Sequence, residues 1–291
     1  MIQRAGKVYP VAAVCRAVGV ARSSYYAWKA SRVRLHRERQ GALREVCAIH
    51  AQYAQTCGSR RMSQELRRRG HSVGRHRARS LMREAGVQAR VVRTHQYPKA
   101  GGAAALAPNL LERAFDVGVP DRVWAGDVTY VWTQEGWLYL AVVMDLFSRR
   151  VVGWACSASP DTNLVIRALQ LALDTRRPAS GLMFHSDQGC QYTSHVFRYF
   201  LSQNRITQSM SRRGNCWDNA VVERFFRSLK TERIRQRPYK DYIAAKTDVI
   251  DYILTFYNQQ RLHSAAGNMP PAEYEAVMRK RWKAEKVSRI T

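Results

Sequence analysis

Near residue 121 the chain abandons helical periodicity for extended runs, and this switch limits the possible folds more than any other feature. Val123-Trp124-Ala125-Gly126-Asp127-Val128-Thr129-Tyr130-Val131-Trp132 is rich in β-branched and aromatic residues. A Gln134-Glu135-Gly136 turn follows, then an apolar run at 137–145, a Ser148-Arg149-Arg150 turn and a third run at 151–156. Three extended runs joined by short turns make an antiparallel meander. Beyond it, helical patterns at 163–174, 194–204 and 218–234 alternate with short strands at 182–187 and 206–211. The expected class is therefore α/β, a mixed five-stranded sheet with flanking helices.

The region before the switch is all helical and strongly basic. Residues 1–100 carry 22 Lys and Arg against 4 Asp and Glu, whereas residues 101–291 carry 26 against 18. An excess concentrated at one end points to nucleic acid as the partner of that end. Residues 11–18 form a helical face broken by Gly19, and a second helix begins near Arg22, Ser23 and Ser24. This is a helix-turn-helix layout that offers Arg22 and Ser23 to DNA. After a basic stretch at 32–39, further helices are expected at 42–53, 63–70 and 73–83. Arg75, Arg79 and Arg83 recur at i, i+4 and i+8 and share one helical stripe, a second candidate DNA face. The expected domains are a first helix-turn-helix at 1–35, a second helical DNA-binding domain at 36–95, a linker at 96–120 rich in Gly and Ala, a catalytic core at 121–236 and a C-terminal helical segment at 237–291.

With 46% hydrophobic residues the chain has enough apolar material for a globular core, and no apolar run approaches the ~20 residues of a membrane span. The six cysteines include no CxxC pair, and the N-terminus leads into no signal-peptide core, so a reduced, cytoplasmic protein is expected. Cys47, His50 and Cys57, with His36 upstream, match no zinc-finger spacing.

Three carboxylates fall at informative places. Asp127 lies in the first strand, Asp187 ends the fourth, and Glu223 is one turn into the last long helix. Brought within about 4 Å, each like-charge pair costs on the order of 4 kcal/mol at an effective dielectric near 20. A divalent cation offsets that cost, and all-oxygen donors suit Mg²⁺ or Mn²⁺ rather than zinc. Two such ions would serve phosphoryl transfer.

Here the motifs carry a family resemblance. Asp187 follows Asp127 by 60 positions, and 35 residues separate Asp187 from Glu223. Around them stand His185-Ser186-Asp187-Gln188-Gly189-Cys190-Gln191-Tyr192, Gly214-Asn215-Cys216-Trp217-Asp218-Asn219-Ala220 and Glu223-Arg224-Phe225-Phe226-Arg227-Ser228-Leu229-Lys230-Thr231-Glu232. Tyr257-Asn258-Gln259-Gln260-Arg261-Leu262-His263-Ser264 and Pro270-Pro271-Ala272-Glu273-Tyr274 follow, and Gly58-Ser59-Arg60-Arg61-Met62 stands upstream. In this order the chain resembles the OrfB half of insertion-sequence transposases of the IS3 family, which are related to retroviral integrases.

The resemblance implies an RNase H-like catalytic core and a DNA transposase that cleaves the ends of its element and transfers the strands. It implies that Asp127, Asp187 and Glu223 hold two Mg²⁺ or Mn²⁺ ions, with Asp127 bridging them. It also implies that Lys230, two turns beyond Glu223, faces the DNA phosphates. Asn219, Arg261 and His263 are further candidate DNA contacts, whereas Asp145 is expected to cap its turn and His185 to shape the Asp187 strand end. Expected partners are transposon-end and target double-stranded DNA, the OrfA half as fusion or partner, and further copies of the chain in a synaptic complex, with no membrane. No sustained heptad repeat appears in residues 1–60, as befits an OrfB half. The competing readings are a non-catalytic DNA-binding regulator of transposition and an RNase H-type nuclease.

Overall fold

The computed structural model describes residues 8–90, 107–212 and 216–288. The chain divides into two compact units, Met1–Val91 and Val92–Thr291. In the first, α1 (Val11–Ala17) is followed by Gly19 at φ +68°, then α2 (Arg22–Gln52), α3 (Ser59–Arg68) and α4 (Arg75–Glu84). The turn at Gly19 between α1 and α2 has the helix-turn-helix layout read from the sequence. The separate helices expected at 20–28 and 42–53 are instead one 31-residue rod. The basic stretch at 32–39 contains neither Pro nor Gly, and Arg34 pairs with Glu38 one turn on; Gly41 beyond it costs only about 1 kcal/mol in a helix interior, too little to break the rod. Val46, Ile49, Met62, Leu66 and Ala78 are completely buried where α2, α3 and α4 meet. Arg39 closes the far side, donating from Nε and from its terminal nitrogen to Glu84 of α4.

The second unit is built on five strands: β1 (Val123–Thr133), β2 (Gly136–Asp145), β3 (Val151–Ser157), β4 (Met183–Ser186) and β5 (Thr207–Met210). Their order across the sheet is β3-β2-β1-β4-β5. The first three strands pair antiparallel as the meander requires, while β4 pairs parallel with β1 and β5 parallel with β4. The mixed α/β sheet, with the strand order and crossovers of the RNase H-like fold, is thus as expected. Its helices are α5 (Thr162–Arg176), the single-turn α6 (Cys190–Thr193), α7 (His195–Gln203), α8 (Ala220–Glu232), α9 (Tyr242–Asp251) and α10 (Pro271–Ser288). Side-chain alternation sorts the apolar residues to two cores. Ala125, Leu138, Leu140, Val142 and Met144 meet Val222, Phe225 and Leu229 of α8 on one face. Trp124, Ala141 and Val143 meet Leu164, Ala168 and Leu169 of α5 and Phe197 of α7 on the other. Because both faces are covered, the 137–145 run reads as continuously apolar.

Two glycines permit this packing. A Cβ on Gly153 would stand 2.2 Å from the Ala168 carbonyl oxygen, so only glycine lets α5 seat against β3. A Cβ on Gly126 would stand 2.4 Å from the Phe184 ring, at the strand position just before Asp127. The C-terminal segment closes over the sheet. Six residues, Tyr252–Tyr257, continue α9 as a π-type coil, and Asn258 then exchanges two 3.0 Å hydrogen bonds with the backbone of Val151 at the start of β3.

Candidate active site

Parallel pairing of β1 and β4 sets the register Ala125↔His185. Two residues further along each strand, on the same face, come Asp127 and Asp187. β4 ends at Ser186, so Asp187 leaves the sheet beside Asp127, with neighbouring strands about 4.8 Å apart. The Val128 amide donates to Asp127 Oδ1 at 2.7 Å, and the Gly189 amide donates to Asp187 Oδ1 at 3.0 Å. Beneath them His185 is fully buried, with Nδ1 2.9 Å from the Ser209 hydroxyl and Nε2 3.2 Å from that of Ser211. Burial also pushes its pKa below the usual imidazole value. It ties β4 to β5 and shapes the strand end, as the sequence suggested.

Glu223 sits in the first turn of α8. The helix is amphipathic, with Val222, Phe225, Phe226 and Leu229 buried at i, i+3, i+4 and i+7. Burying each such side chain contributes about 1.5–3 kcal/mol, which seats α8 against β1 and leaves Glu223 on an exposed flank. Loss of solvent pushes the Asp127 carboxyl well above the usual carboxylate range, and the charges of Asp187 and Glu223 push it further. The Val128 amide and Lys230 pull the other way. Asp187 is raised by desolvation, against the pull of the Gly189 amide. Glu223 is raised by desolvation, opposed by Arg227 and reinforced by Asp187. Among the described residues, no three His, Cys, Asp or Glu groups form a ready-made cage for one ion. The three carboxylates share one field, with Asp127 at its centre and Glu223 at its rim.

Lys230 is the cation that acts on Asp127 in this field. Its ammonium lies 4.6 Å from the centroid of the Tyr130 ring, and burial and Arg235 hold its pKa below the ordinary lysine value while Asp127 raises it.

The other candidates separate into two groups. Arg22, Ser23, Arg75, Arg79 and Arg83 are all exposed in the first unit, the three later arginines along one side of α4. Asn219 and Arg261 do not lie on the surface expected of DNA contacts. Asn219 is 4% exposed and donates from Nδ2 to the Gly126 carbonyl at 3.3 Å. It thereby braces the strand position before Asp127. Arg261 is 7% exposed because it is consumed by Glu232 of α8 and the Ser228 hydroxyl. His263 is half-buried, edge-on to Tyr257 with centroids 4.9 Å apart, and 3.2 Å from Arg261. Asp145 caps its turn, accepting from the Phe147 amide at 3.0 Å. Gly214 and Asn215 of the motif before α8 lie outside the described residues.

Sequence reasoning missed two features around the site. Asp218, fully buried, holds Arg113 and Arg212 at 2.7 and 3.1 Å, which keep its carboxyl far below the usual range despite desolvation. Tyr130, as the partner of Lys230, was also overlooked; a Tyr three residues after an acidic strand position carries no signal of its own.

An Integrase core domain family matches residues 119–216, a second Integrase core domain family matches 204–271, and an HTH-like domain family matches 36–95. The insertion element IS600 31 kDa protein of Shigella sonnei is 36% identical over 270 residues, 90% of this chain and 97% of that protein. Transposase InsF for insertion sequence IS3A of Escherichia coli (strain K12) is 37% identical over 274 residues, 92% of this chain and 94% of that one. Among solved structures, the HTLV-2 integrase catalytic core domain in complex with magnesium aligns with a TM-score of 0.42 at 20% identity, over 54% of this chain and 98% of that one.

Proposed function

The chain belongs to the IS3 family of insertion-sequence transposases, and from that premise we propose that Asp127, Asp187 and Glu223 are its catalytic carboxylates in cleavage of the element's ends and in strand transfer. The observation that carries this reading is the Ala125↔His185 register, which sets Asp127, within β1, beside Asp187 just past the end of β4, with α8 bringing Glu223 to their rim.

The donor set fits hard divalent cations. It consists of carboxylate oxygens whose mutual repulsion, added to desolvation, already disfavours the charged forms. Asp127, Asp187 and Glu223 would together hold the Mg²⁺ or Mn²⁺ ions. When bound, such ions activate the attacking oxygen and stabilise the leaving oxygen of an in-line phosphoryl transfer. The chain's own groups do the rest. The Val128 and Gly189 amides fix one oxygen of each Asp and leave the other free to bind. Lys230, its ammonium over the Tyr130 ring, places a positive charge for a DNA phosphate. Glu223 turns inward from its exposed flank, which its flexible stem allows.

In the same reading the exposed arginines of α4, with Arg22 and Ser23, bind the terminal repeats, an OrfA half completes the active enzyme, and copies of the chain assemble in the synaptic complex. Of the residue ranges read from the sequence, 36–95 and 121–236 serve as the DNA-binding and catalytic regions, whereas α2 runs across the 35/36 boundary. Of the expected linker, 96–106 lies outside the described residues, while Leu111 is buried in the core of the second unit. Nicking of a labelled element end in Mg²⁺, with the chain alone and fused to OrfA, tests the proposal. Metal-dependent nicking lost in Asp127→Asn supports it, and nicking that persists in that variant rejects it.

A further inference from the structure

Three aromatic rings stand exposed on the β1–β2 hairpin. Tyr130, Trp132 and Trp137 are 43%, 57% and 44% exposed. Trp132 and Trp137 are directly opposite in the antiparallel register, with ring centroids 4.7 Å apart, and Trp137 meets Tyr130 at 4.9 Å. Three large rings packed on one another in solvent are a costly surface for a chain to keep. They are not an overflow of the core, because the helices that cover this sheet face nearer its centre pack on Trp124, Ala141 and Val143 instead.

Position adds a second argument. β4 stops at Ser186, so among the described residues β1 has β2 as its only strand neighbour from Val128 onward, until Thr133 bridges to Tyr239. Lys230 reaches Tyr130, setting a cation against the first ring. Arg235 adds positive charge nearby. By strand alternation the rings share the Trp124 face and Asp127 the Ala125 face. The row thus begins about 10 Å along β1 from Asp127 on the other side of the sheet, with Lys230 reaching Tyr130 at the open edge between them. A DNA end held at the carboxylates would bring its bases to these rings by passing a separated strand round that open edge, beside Lys230. Aromatic faces beside cations suit unpaired nucleobases, since every base has a face to stack while its phosphate seeks the charge. A protein partner would use the rings equally well but has no need of the flanking cations.

We propose that Tyr130, Trp132 and Trp137 form a stacking platform for unpaired bases at the DNA end held in the active site. The inference rests on the transposase reading for the identity of its ligand. It adds that the end is bound frayed, with strand separation assisted by the hairpin.

The test uses the full chain and two fluorescently labelled duplexes of one sequence, one blunt and one with three unpaired nucleotides at an end, titrated in Ca²⁺ to prevent cleavage. The wild type should prefer the frayed duplex by about tenfold or more, the worth of one good stack. Trp137→Ala and Trp132→Ala should lose most of that preference and leave blunt-duplex affinity unchanged, whereas Trp137→Phe, which keeps a ring, should retain it. Raising the salt should weaken both duplexes and leave their ratio nearly constant, because stacking releases no counterions. Equal preference in wild type and the two alanine variants overturns the platform. So does a change in sedimentation of Trp137→Ala without DNA, which would mark the rings as a contact between copies. Nicking in Mg²⁺ separates this inference from the reading beneath it. Frayed-end preference without metal-dependent nicking leaves the platform standing and removes the transposase chemistry; nicking with no ring-dependent preference does the reverse.

Discussion

Arg261 grips Glu232 through two hydrogen bonds of 2.8 Å, Nε to one carboxylate oxygen and a terminal nitrogen to the other, and both residues are almost completely buried. The Tyr252 hydroxyl donates to the same carboxylate at 2.7 Å. The C-terminal segment is thereby fastened to the end of the helix that carries Glu223 and Lys230.

Removing one partner of a buried pair leaves the other charge uncompensated. Arg261→Ala should lower unfolding free energy by about 3 kcal/mol or more, read as a shift in urea midpoint at constant m-value. Arg261→Lys should fall between, since the charge remains but the planar fork does not. A loss under about 1 kcal/mol in Arg261→Ala would show that the pair does not hold the segment.

The raised carboxyls of the site set stability against activity. A carboxyl whose folded pKa exceeds its unfolded value favours the fold while protonated, and that contribution is lost as pH rises from the unfolded pKa through the folded one. At pH 7, in EDTA, Asp127→Asn should therefore melt above the wild type, even as it loses nicking by several orders of magnitude and keeps DNA binding. An unchanged or lower melting temperature would mean that the site carries no electrostatic strain.

Asp145 offers a pH test outside the site. Burial pushes its pKa from 3.8 to about 7, opposed by the Phe147 amide and by Arg176. Its contribution to stability is complete below pH 4 and declines between pH 4 and 7. Over that window the wild type should lose up to a few kcal/mol relative to Asp145→Asn, in urea titrations at pH 5 and 7. Parallel pH profiles for the two proteins would refute this.

Exposed arginines on α4 should act through phosphates. Replacing Arg75, Arg79 and Arg83 by Gln should weaken binding to the element's end and reduce the slope of log K against log salt by about three. A slope within experimental error of wild type would place the DNA elsewhere.

Lys230→Ala separates phosphate positioning from metal binding. Nicking should fall more than affinity does, since a displacement of about 1 Å at the scissile phosphate can cost on the order of 100-fold in rate. Affinity should drop with a salt slope smaller by about one. Single-turnover nicking at the wild-type rate would leave this lysine a role in packing Tyr130 alone.

Much of this was legible in the residues because period and spacing are local. The meander and the alternation that follows it come from runs of fewer than twenty residues each, whereas Asp127, Asp187 and Glu223 stand out through their 60- and 36-position spacings and the motifs around them. Burial is a different matter. Arg261 and Asn219 read as surface groups because a polar side chain in a C-terminal or capping segment usually meets solvent. Only their distant partners, Glu232 at 29 positions and Gly126 at 93, draw them inside. The single rod α2 was read as two helices because charge density was taken for a boundary, although charge alone does not break a helix. The aromatic row escaped notice because Trp132 and Trp137 lie across a turn, and their strand-rich context makes such residues look like core.

The unbroken course of α2 has a mechanical consequence. A helix transmits torsion as well as length: across its roughly 46 Å, the turn that carries Arg22 and the packed end around Val46 and Ile49 keep one fixed azimuth. Four residues inserted near Lys29 would swing the two ends out of phase by about 40° and lengthen the rod by about 6 Å, whereas seven would nearly restore the phase. The turn that carries Arg22 and the packed end of the rod are therefore locked to one helical phase, which a change in α2 length would alter and a change of sequence within it would not.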